Sequence, residues 1–339
     1  MNKITLATIA ADLGVSTATV SLALRGSPLV AQTTSERVQL RARELGYVYD
    51  RRAASLRTQR SDIVGVIVRD VVNPFFAEVL RSIETELGQY RQTFLLCNHD
   101  DDLEKQAAFI SSLQQFGADG VIMSPSVGTT AADMQTIDAN LPVVQVARHV
   151  EGVHVPTFLG DDAPGMAAIT THLIECGHTD IVLLGGTRMT SSGRARRAGF
   201  AQAFRDAGID LPDRPAIEAP YSREAGFEAV AGIMAGSKRP TAIACCSDTL
   251  AMGVMHGLRQ HGLTPGVDVS VTGYDDIAEA RFSYPPLTTV ADGHAEIGRR
   301  AAQALYMRLT DKTADSTQWT EPTLVQPELK LRGSVATIR

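Results

Sequence analysis

Cysteine is scarce in this chain of 339 residues, and the few that occur have no paired spacing. Cys97 and Cys176 stand alone, and Cys245 and Cys246 are adjacent, with no C-x-x-C motif and no Cys/His cluster. Disulfide frameworks and zinc sites depend on such spacings. We therefore expect neither a disulfide scaffold nor a bound metal.

Long apolar runs are also missing. No stretch reaches the roughly 18 residues that a membrane span requires. The N-terminus, MNKITLATIAADLG, lacks the apolar core and small-residue cleavage site of a signal peptide. At 44% apolar and 21% charged residues, the composition is typical of a soluble globular protein, so we expect a cytoplasmic location.

Catalytic motifs are absent as well. The sequence contains no nucleophile elbow, no H-E-x-x-H, no phosphate loop and no Ser, His and Asp close together. Gly185-Gly186 follows a predicted strand, but the G-x-G-x-x-G fingerprint of dinucleotide sites is missing. We expect the protein not to be an enzyme and to use no cofactor.

Charge is unevenly distributed along the chain. The net charge is −6, but residues 1–60 carry +5 and the remainder carries −11. A basic head on an acidic body favours a nucleic-acid-binding module joined to a part that does not bind nucleic acid.

The N-terminal segment TLATIAADLGVSTATVSLAL predicts two helices joined by a tight turn. Thr5 can cap the first helix, Gly14 can end it in the left-handed conformation, and Ser16 can cap the second. This arrangement is typical of a helix-turn-helix, whose second helix enters the major groove. A third helix is predicted from Thr33, with a capping box to Glu36. On the second helix, the outward-facing residues are expected to be Thr17, Ala18, Ser21 and Leu22.

A short basic segment, DRRAASL, follows at residues 50–56. It is too short to hold a helix alone in water, but it could fold when its arginines meet phosphates. Leu56 could then wedge between base steps from the minor groove. A plain flexible linker is the alternative.

From Ser61 the pattern changes to strands that alternate with helices. One series runs from Ile63 to Val146 and a second from Pro164 to Thr272, followed by a helix at Ala295 to Leu309 and a strand near Thr323 to Leu331. Such alternation predicts βαβ units with parallel sheets. Two lobes of this kind leave a cleft at the carboxyl ends of their strands, where ligands bind.

Nine segments together resemble the lactose repressor (LacI/GalR) family of bacterial transcription regulators, almost from end to end. They are GVSTATVSLAL, TTSERVQLRARELGY, RRAASLRT, DVVNPFF, HLIECGHTDIVLLGG, RARRAGF, CCSDTLAMG, VTGYDDI and YPPLTTV. The resemblance implies a helix-turn-helix headpiece at 1–49, a hinge at 50–60, and a periplasmic-binding-protein-like body at 61–339 with two Rossmann-like lobes. Lobe one is expected at about 61–158 and 291–318, and lobe two at about 159–290 and 319–335. The resemblance also implies a homodimer on a pseudo-palindromic operator.

The family pattern also implies the DNA-contacting positions. The expected base contacts are Thr17, Ala18, Ser21, Leu22 and Arg25. The expected phosphate and hinge contacts are Lys3, Thr5, Ser16, Thr19, Arg51, Arg52, Ala53, Leu56 and Arg57. Many members have Arg where this chain has Leu22, and leucine cannot form the paired hydrogen bonds of Arg with guanine. We therefore expect an unusual operator half-site.

For the cleft, the resemblance implies a small-molecule effector, most simply a sugar or sugar derivative. The expected contacts are Phe75, Arg194, Tyr221, Ser247, Asp248 and Asp275. Arg196 and Arg197 are read as a solvated face or as partners of acids, and Asp162 as a loop or capping residue. The alternatives are a solute-binding protein without a DNA role, a DNA-binding protein without a ligand, and a regulator that responds to a non-sugar metabolite.

Overall fold

The structure is a computed structural model that describes residues 4–47, 60–212, 216–235, 239–311 and 319–338. It forms two compact units, which divide between Ser61 and Asp62. Among the described residues, no single helix is long and apolar enough to cross a membrane. The first two helices reach that length and composition only when taken together, across a bend of 107°.

The first unit contains three helices, α1 (Leu6–Leu13), α2 (Thr17–Leu24) and α3 (Gln32–Glu44). The bend of 107° between α1 and α2 lies in the helix-turn-helix range. As predicted, Thr5 and Ser16 cap the two helices and Gly14 ends the first at φ 66°. A small core holds the helices together: Ile9, Ala10, Val20, Ala23, Val38 and Ala42.

The predicted start of the third helix is wrong. The helix begins at Gln32, one residue before Thr33, and its N-cap Ala31 makes no side-chain capping bond. Glu36 instead accepts a hydrogen bond from the Gln32 side-chain amide at 3.0 Å. The expected Thr33–Glu36 capping box therefore does not form.

The second unit contains twelve described strands and eight described α-helices. The strands are β1 (Ile63–Val68), β2 (Thr93–Asn98), β3 (Gly120–Met123), β4 (Val143–Val146), β5 (Thr157–Gly160), β6 (Ile181–Leu184), β7 (Ala216–Ile217), β8 (Ala242–Cys245), β9 (Ser270–Thr272), β10 (Thr289–Ala291), β11 (Thr323–Val325) and β12 (Glu328–Lys330). The helices are α4 (Pro74–Gln89), α5 (Leu103–Gln115), α6 (Ala131–Asn140), α7 (Asp162–Glu175), α8 (Ser191–Asp206), α9 (Arg223–Met234), α10 (Asp248–Gln260) and α11 (His294–Thr310).

Two parallel sheets define two lobes. Lobe one has the strand order β11-β5-β4-β3-β1-β2, and lobe two has the order β7-β6-β8-β9. Helix α11 returns to lobe one, where it packs on α4 and on β3 to β5. Each sheet is covered by buried aliphatic side chains, which explains why strands such as IVGVIV show no alternation of polar residues.

The C-terminal segment differs from the expectation. A single strand near Thr323 to Leu331 was expected in lobe two, but two short strands form. β11 pairs with β5 in the lobe-one sheet, whereas β12 pairs antiparallel with β10. The reason is that β5 would otherwise be the edge strand of the lobe-one sheet with unpaired backbone groups. β11 pairs with this edge in parallel, with Thr323 opposite Phe158. Residues 323–325 therefore belong to lobe one.

Two glycines, Gly226 of α9 and Gly253 of α10, allow these helices to pack closely in lobe two. A Cβ added to Gly253 would overlap the carbonyl oxygen of Arg223, whereas one added to Gly232 would meet nothing. We expect Gly253→Ala to lower the free energy of unfolding by about 1–3 kcal/mol, because backbone rather than a flexible side chain must move. Gly232→Ala is the matched control and should raise it by up to about 1 kcal/mol. Urea unfolding measures both, and equal midpoints for the two variants would contradict the packing argument.

Candidate functional site

Helix α2 presents only part of the expected base-contacting set to solvent. Thr17 and Ala18 are exposed and Leu22 is half-buried, but Ser21 is only 5% exposed. Ser21 was expected to point outward. It is enclosed because α2 packs against both α1 and α3, and the Arg25 side chain folds back so that its Nε donates to the Ser21 carbonyl oxygen at 3.2 Å. The accessible surface of α2 is thus centred on Thr17, Ala18 and Leu22.

The other headpiece positions divide between capping residues and residues outside the described part. Thr5 Oγ1 accepts from the Thr8 amide at 3.3 Å, and Ser16 Oγ accepts from the Thr19 amide at 3.0 Å. The Ser16 and Thr19 hydroxyls also lie 2.9 Å apart. The remaining expected contacts lie outside the described residues: Lys3, Arg51, Arg52, Ala53, Leu56 and Arg57.

The second unit has a cleft where the carboxyl ends of the two sheets meet. An outer chamber of about 460 Å³ adjoins a smaller inner chamber of about 40 Å³. The inner chamber is lined by Arg69, Asn73, Phe75, Phe76, Ala147, Arg148, Ser192, Arg196, Tyr221 and Asp275. Arg69 directly follows β1, Ala147 follows β4, and Asp275 comes shortly after β9. This position at strand ends is where open α/β sheets bind ligands.

Arg196 lies at the centre of the lobe-two wall. Its Nε is 2.8 Å from Asp162 Oδ1, its Nη1 is 3.6 Å from Asp275 Oδ1, and Nη1 also donates to the Cys246 carbonyl oxygen. The guanidinium carbon lies 3.9 Å from the ring centroid of Tyr274. A planar cation is therefore held from several sides, with Asp275 and Arg196 both facing the inner chamber.

Arg196 lines the cleft in addition to the expected residue Arg194. Arg194 is exposed, pairs with Glu151 and lines a further chamber of about 470 Å³ beside Arg148, whereas Arg196 is buried and lines the inner chamber. Helical spacing contained the missing signal. The buried residues of α8 are Gly193, Arg196, Gly199, Phe200, Ala203 and Phe204, so position 196 falls on the inward face. Asp162 was likewise expected in a loop or cap and is instead the buried partner of Arg196.

Burial changes the acidity of these carboxyl groups. Desolvation raises the pKa of Asp275 well above its ordinary value, and the nearby Arg196 guanidinium acts in the opposite direction. Burial likewise raises the pKa of Asp162, again opposed by Arg196. Arg196 is therefore the nearby group that favours the ionised form of both carboxyls.

Ser247 and Asp248 were expected to contact the effector, but their described bonds are internal. Both side chains are completely buried. Ser247 Oγ caps α10 by accepting from the Leu250 amide at 3.2 Å. Asp248 accepts from the Ile277 amide at 2.8 Å and from the Thr289 hydroxyl at 2.5 Å, and burial raises the pKa of Asp248 to about 8. Neither side chain lines the chambers, because Ser247 and Asp248 start α10 and bond to neighbouring backbone and strand residues.

The lobe-one wall contains an ionic group that the sequence reading missed. Asp101 Oδ1 is 2.5 Å from Arg148 Nη1, and Asp101 Oδ2 is 2.9 Å from Arg69 Nε. Asp101 lies in the loop after β2, Arg148 in the loop after β4 and Arg69 directly after β1. β1 and β2 are neighbours in the sheet, whereas β3 separates β1 from β4, so the three side chains meet across four strands at one end of the sheet. The available signal was a charged residue after each of several buried strands.

Two aromatic side chains flank the chambers as expected. Phe75 lines the inner chamber and meets the His294 ring edge-on at 6.0 Å between centroids. Tyr221 lines both chambers, and its buried hydroxyl has no hydrogen-bond partner among the described residues. Burial raises the pKa of Tyr221, so this hydroxyl stays protonated near neutral pH.

The two lobes are joined across the mouth of the cleft by a contact that we call the latch. Arg194 Nη2 of lobe two lies 2.7 Å from Glu151 Oε1, and the His149 amide donates to Ser191 Oγ at 3.0 Å. Glu151 and His149 follow β4 of lobe one, whereas Ser191 and Arg194 begin α8 of lobe two. Within the described parts of the chain, no cluster of three or more His, Cys, Asp or Glu side chains could hold a metal.

Comparison with known proteins identifies both units. A family described as "Bacterial regulatory proteins, lacI family" matches residues 5–50, and one described as "Periplasmic binding proteins and sugar binding domain of LacI family" matches residues 61–326. The transcriptional repressor PurR of Haemophilus influenzae (strain PittEE) is 32% identical over 98% of this chain and 99% of its own length. The PurR of Vibrio campbellii is 31% identical over 98% of each chain.

Solved structures agree in fold. A lac repressor dimer bound to operator and an anti-inducer has a TM-score of 0.84 at 23% identity, and covers 99% of this chain and 100% of its own. A LacI family regulator from Enterococcus faecium with bound ribose has a TM-score of 0.73 at 26% identity, over 82% of this chain and 100% of its own. The regulator CelR in complex with cellobiose has a TM-score of 0.72 at 26% identity, over 98% and 99%.

We expect Arg196→Met to lower the free energy of unfolding by about 3–5 kcal/mol, because two buried carboxylates lose their counter-ion. Burial raises the pKa of Asp162 and Asp275 in the folded state, and the variant lacks the Arg196 charge that opposes this rise. The variant should therefore lose stability as pH rises above about 4, the pKa of Asp in the unfolded chain. Urea unfolding at pH 5 and pH 8 measures this. The neighbouring exposed Arg194→Met is the control, with a loss of at most about 1 kcal/mol. Equal losses for the two variants would contradict the central role of Arg196.

We expect Glu151→Gln to loosen the latch. Both partners are partly exposed, so hydrogen exchange at the His149 amide should accelerate by no more than about fivefold. The difference from the unaltered protein should shrink in high salt, because salt screens an exposed ion pair. Hydrogen–deuterium exchange with mass spectrometry follows the peptide, and Glu224→Gln on the exposed face of α9 is the control. Unchanged exchange in low salt would show that the Arg194–Glu151 ion pair does not stabilise the latch.

Proposed function

Because the chain belongs to the LacI family of bacterial transcription regulators, a DNA-binding headpiece joined to a small-molecule-binding core, we propose that it is a repressor controlled by a sugar-class effector. The observation that carries the proposal is the inner chamber, where Arg196 and Asp275 of lobe two face Arg69 and Arg148 of lobe one. Its relatives are transcriptional repressors rather than enzymes, in agreement with the absence of catalytic motifs. We place its action in the cytoplasm, where its DNA target lies.

On DNA, α2 enters the major groove with Thr17, Ala18 and Leu22 towards the base edges. Their exposure supports this assignment, and Leu22 favours contact with a thymine methyl group over a guanine. The phosphate contacts are assigned to Lys3, Arg51, Arg52 and Arg57, which position the protein without reading sequence. Leu56 of the hinge enters the minor groove.

The operator is pseudo-palindromic because the protein acts as a homodimer. Several large apolar side chains of lobe two are exposed: Phe282 is 75% exposed, Tyr284 86% and Phe227 39%. Exposed apolar side chains of this size support an interaction surface on the second unit. A two-fold dimer would use the same surface on both copies and present two headpieces to two half-sites.

The effector is a sugar or sugar derivative. Carboxylate and guanidinium groups that converge between aromatic walls offer hydroxyl groups both acceptors and donors, and two regulators of similar fold were solved with ribose and with cellobiose. A non-sugar metabolite is the second candidate. It is favoured by the 32% identity to PurR repressors, which exceeds the 26% identity to the ribose and cellobiose regulators.

One experiment separates DNA binding from effector binding. Genomic fragments retained by the full-length protein are sequenced, and a protein that begins at residue 62 is tested beside it, with circular dichroism to verify that it is folded. The truncated protein should lose DNA retention but keep thermal stabilisation by a compound from a panel of sugars and nucleobases. DNA retention without residues 1–61 would refute the assignment of the headpiece.

Replacing Leu22 should change which operator is preferred. We expect Leu22→Arg to favour guanine at the contacted position by about 1–3 kcal/mol, because Arg can bond O6 and N7 together. Selection from randomised duplexes measures the preference. Leu40→Arg on α3, where Leu40 is 60% exposed, adds the same charge away from α2 and should leave the preferred sequence unchanged. If Leu22→Arg selects the original site, position 22 does not read bases.

A further inference from the structure

The inner chamber is richer in positive than in negative side chains. Three guanidinium groups line it, those of Arg69, Arg148 and Arg196, against the single carboxyl of Asp275. The side chains of Arg148 and Arg196 are only 11% and 7% exposed. Charges so poorly hydrated attract an opposite charge far more strongly than exposed ones do.

The acidic partners of these arginines lie behind them or beside the chamber. Asp162, which holds Arg196, does not line either chamber. Asp101 serves Arg69 and Arg148 together, and it lines the outer chamber but not the inner one. Two guanidinium groups therefore share the Asp101 carboxylate, and both line the inner chamber without it.

Asp275 compensates little of this charge. It is 3% exposed, and burial raises the pKa of its carboxyl, which weakens its negative charge. The second carboxylate near Arg69, that of Asp70, is 3.8 Å from Arg69 Nη1 and does not line the inner chamber. The face of the inner chamber that Arg69 and Arg148 line is therefore electropositive.

We infer that the effector carries an anionic oxygen group, a carboxylate or a phosphate, on a hydroxylated carbon skeleton, and that Arg69 and Arg148 bind this group. Guanidinium forks match the oxygen pairs of both anions in two parallel hydrogen bonds. The hydroxyls of the skeleton meet Asp275 and Arg196, and Tyr221 packs on its carbon face. A neutral sugar would leave the two guanidinium groups desolvated with mainly the Asp101 carboxylate to balance them when the cleft closes. This inference rests on the proposed effector site.

The test uses the full-length protein and matched compounds that differ in one charge. Thermal shift and calorimetry compare D-glucuronate with D-glucose, D-gluconate with D-glucitol, and glucose 6-phosphate with glucose, with inorganic phosphate as the smallest probe and sodium chloride to equalise ionic strength. We expect at least one anionic probe to bind, and any neutral counterpart to bind at least about tenfold more weakly. The carboxylate and phosphate arms distinguish the two sources of negative charge.

Two variants test the residues. Arg148→Met should weaken the anionic probe by at least about tenfold, and Asp101 keeps Arg69 as its partner in this variant. Arg81→Met removes an arginine whose side chain is 69% exposed on α4 and should leave binding unchanged. Circular dichroism verifies that both variants are folded.

Three results would overturn the inference. They are equal binding of a neutral and an anionic partner, unchanged binding of the anion to Arg148→Met, and no stabilisation by any anionic probe, inorganic phosphate included. Operator retention is measured on the same preparation. If retention persists while the anionic probes fail, only the effector assignment falls, whereas loss of retention counts against the proposed function itself.

Discussion

The buried guanidinium of Arg196 is the interaction on which the ligand-binding core depends. It holds Asp162 at the start of α7, the carbonyl of Cys246 after β8, and Asp275 after β9, and it stacks on Tyr274. Four chain segments that are distant in sequence are thereby fixed at one point. A buried charge of this kind is costly unless it is fully paired, so the same contacts that stabilise lobe two also give the cleft its shape.

The cleft is built by convergence of loops, not by any one motif. Parallel strands of both sheets end at the cleft, and the loops after β1, β4 and β9 contribute Arg69, Ala147 and Asp275. Lobe one supplies a shared-carboxylate arginine pair, lobe two supplies the Arg196 group, and the latch joins the lobes at the mouth. An effector that contacts both walls stabilises one spacing of the lobes over another. If that spacing alters operator affinity, DNA must alter effector affinity by the same factor.

The sequence predicts a cleft at the carboxyl ends of the strands, and the side chains that line this cleft in the structure include only part of the predicted set. Phe75, Tyr221 and Asp275 line the inner chamber as expected. Arg194 and Arg196 lie two positions apart on α8, so they point in different directions, and choosing between them required the burial of the whole helix. Ser21 is concealed by the packing of α2 between two other helices, which local outward-facing positions do not reveal.

The sequence by itself determined the two units, the helix-turn-helix with its caps at Thr5 and Ser16, and the alternation of strands and helices, because caps, turns and hydrophobic periodicity are local properties. Only the tertiary structure decided that β11 joins lobe one and that Asp101 bridges Arg69 and Arg148. It also decided that Asp162 and Asp275 share Arg196. Strand order and ion pairing between distant loops depend on which edges and charges meet after packing, and no local pattern in the chain records that.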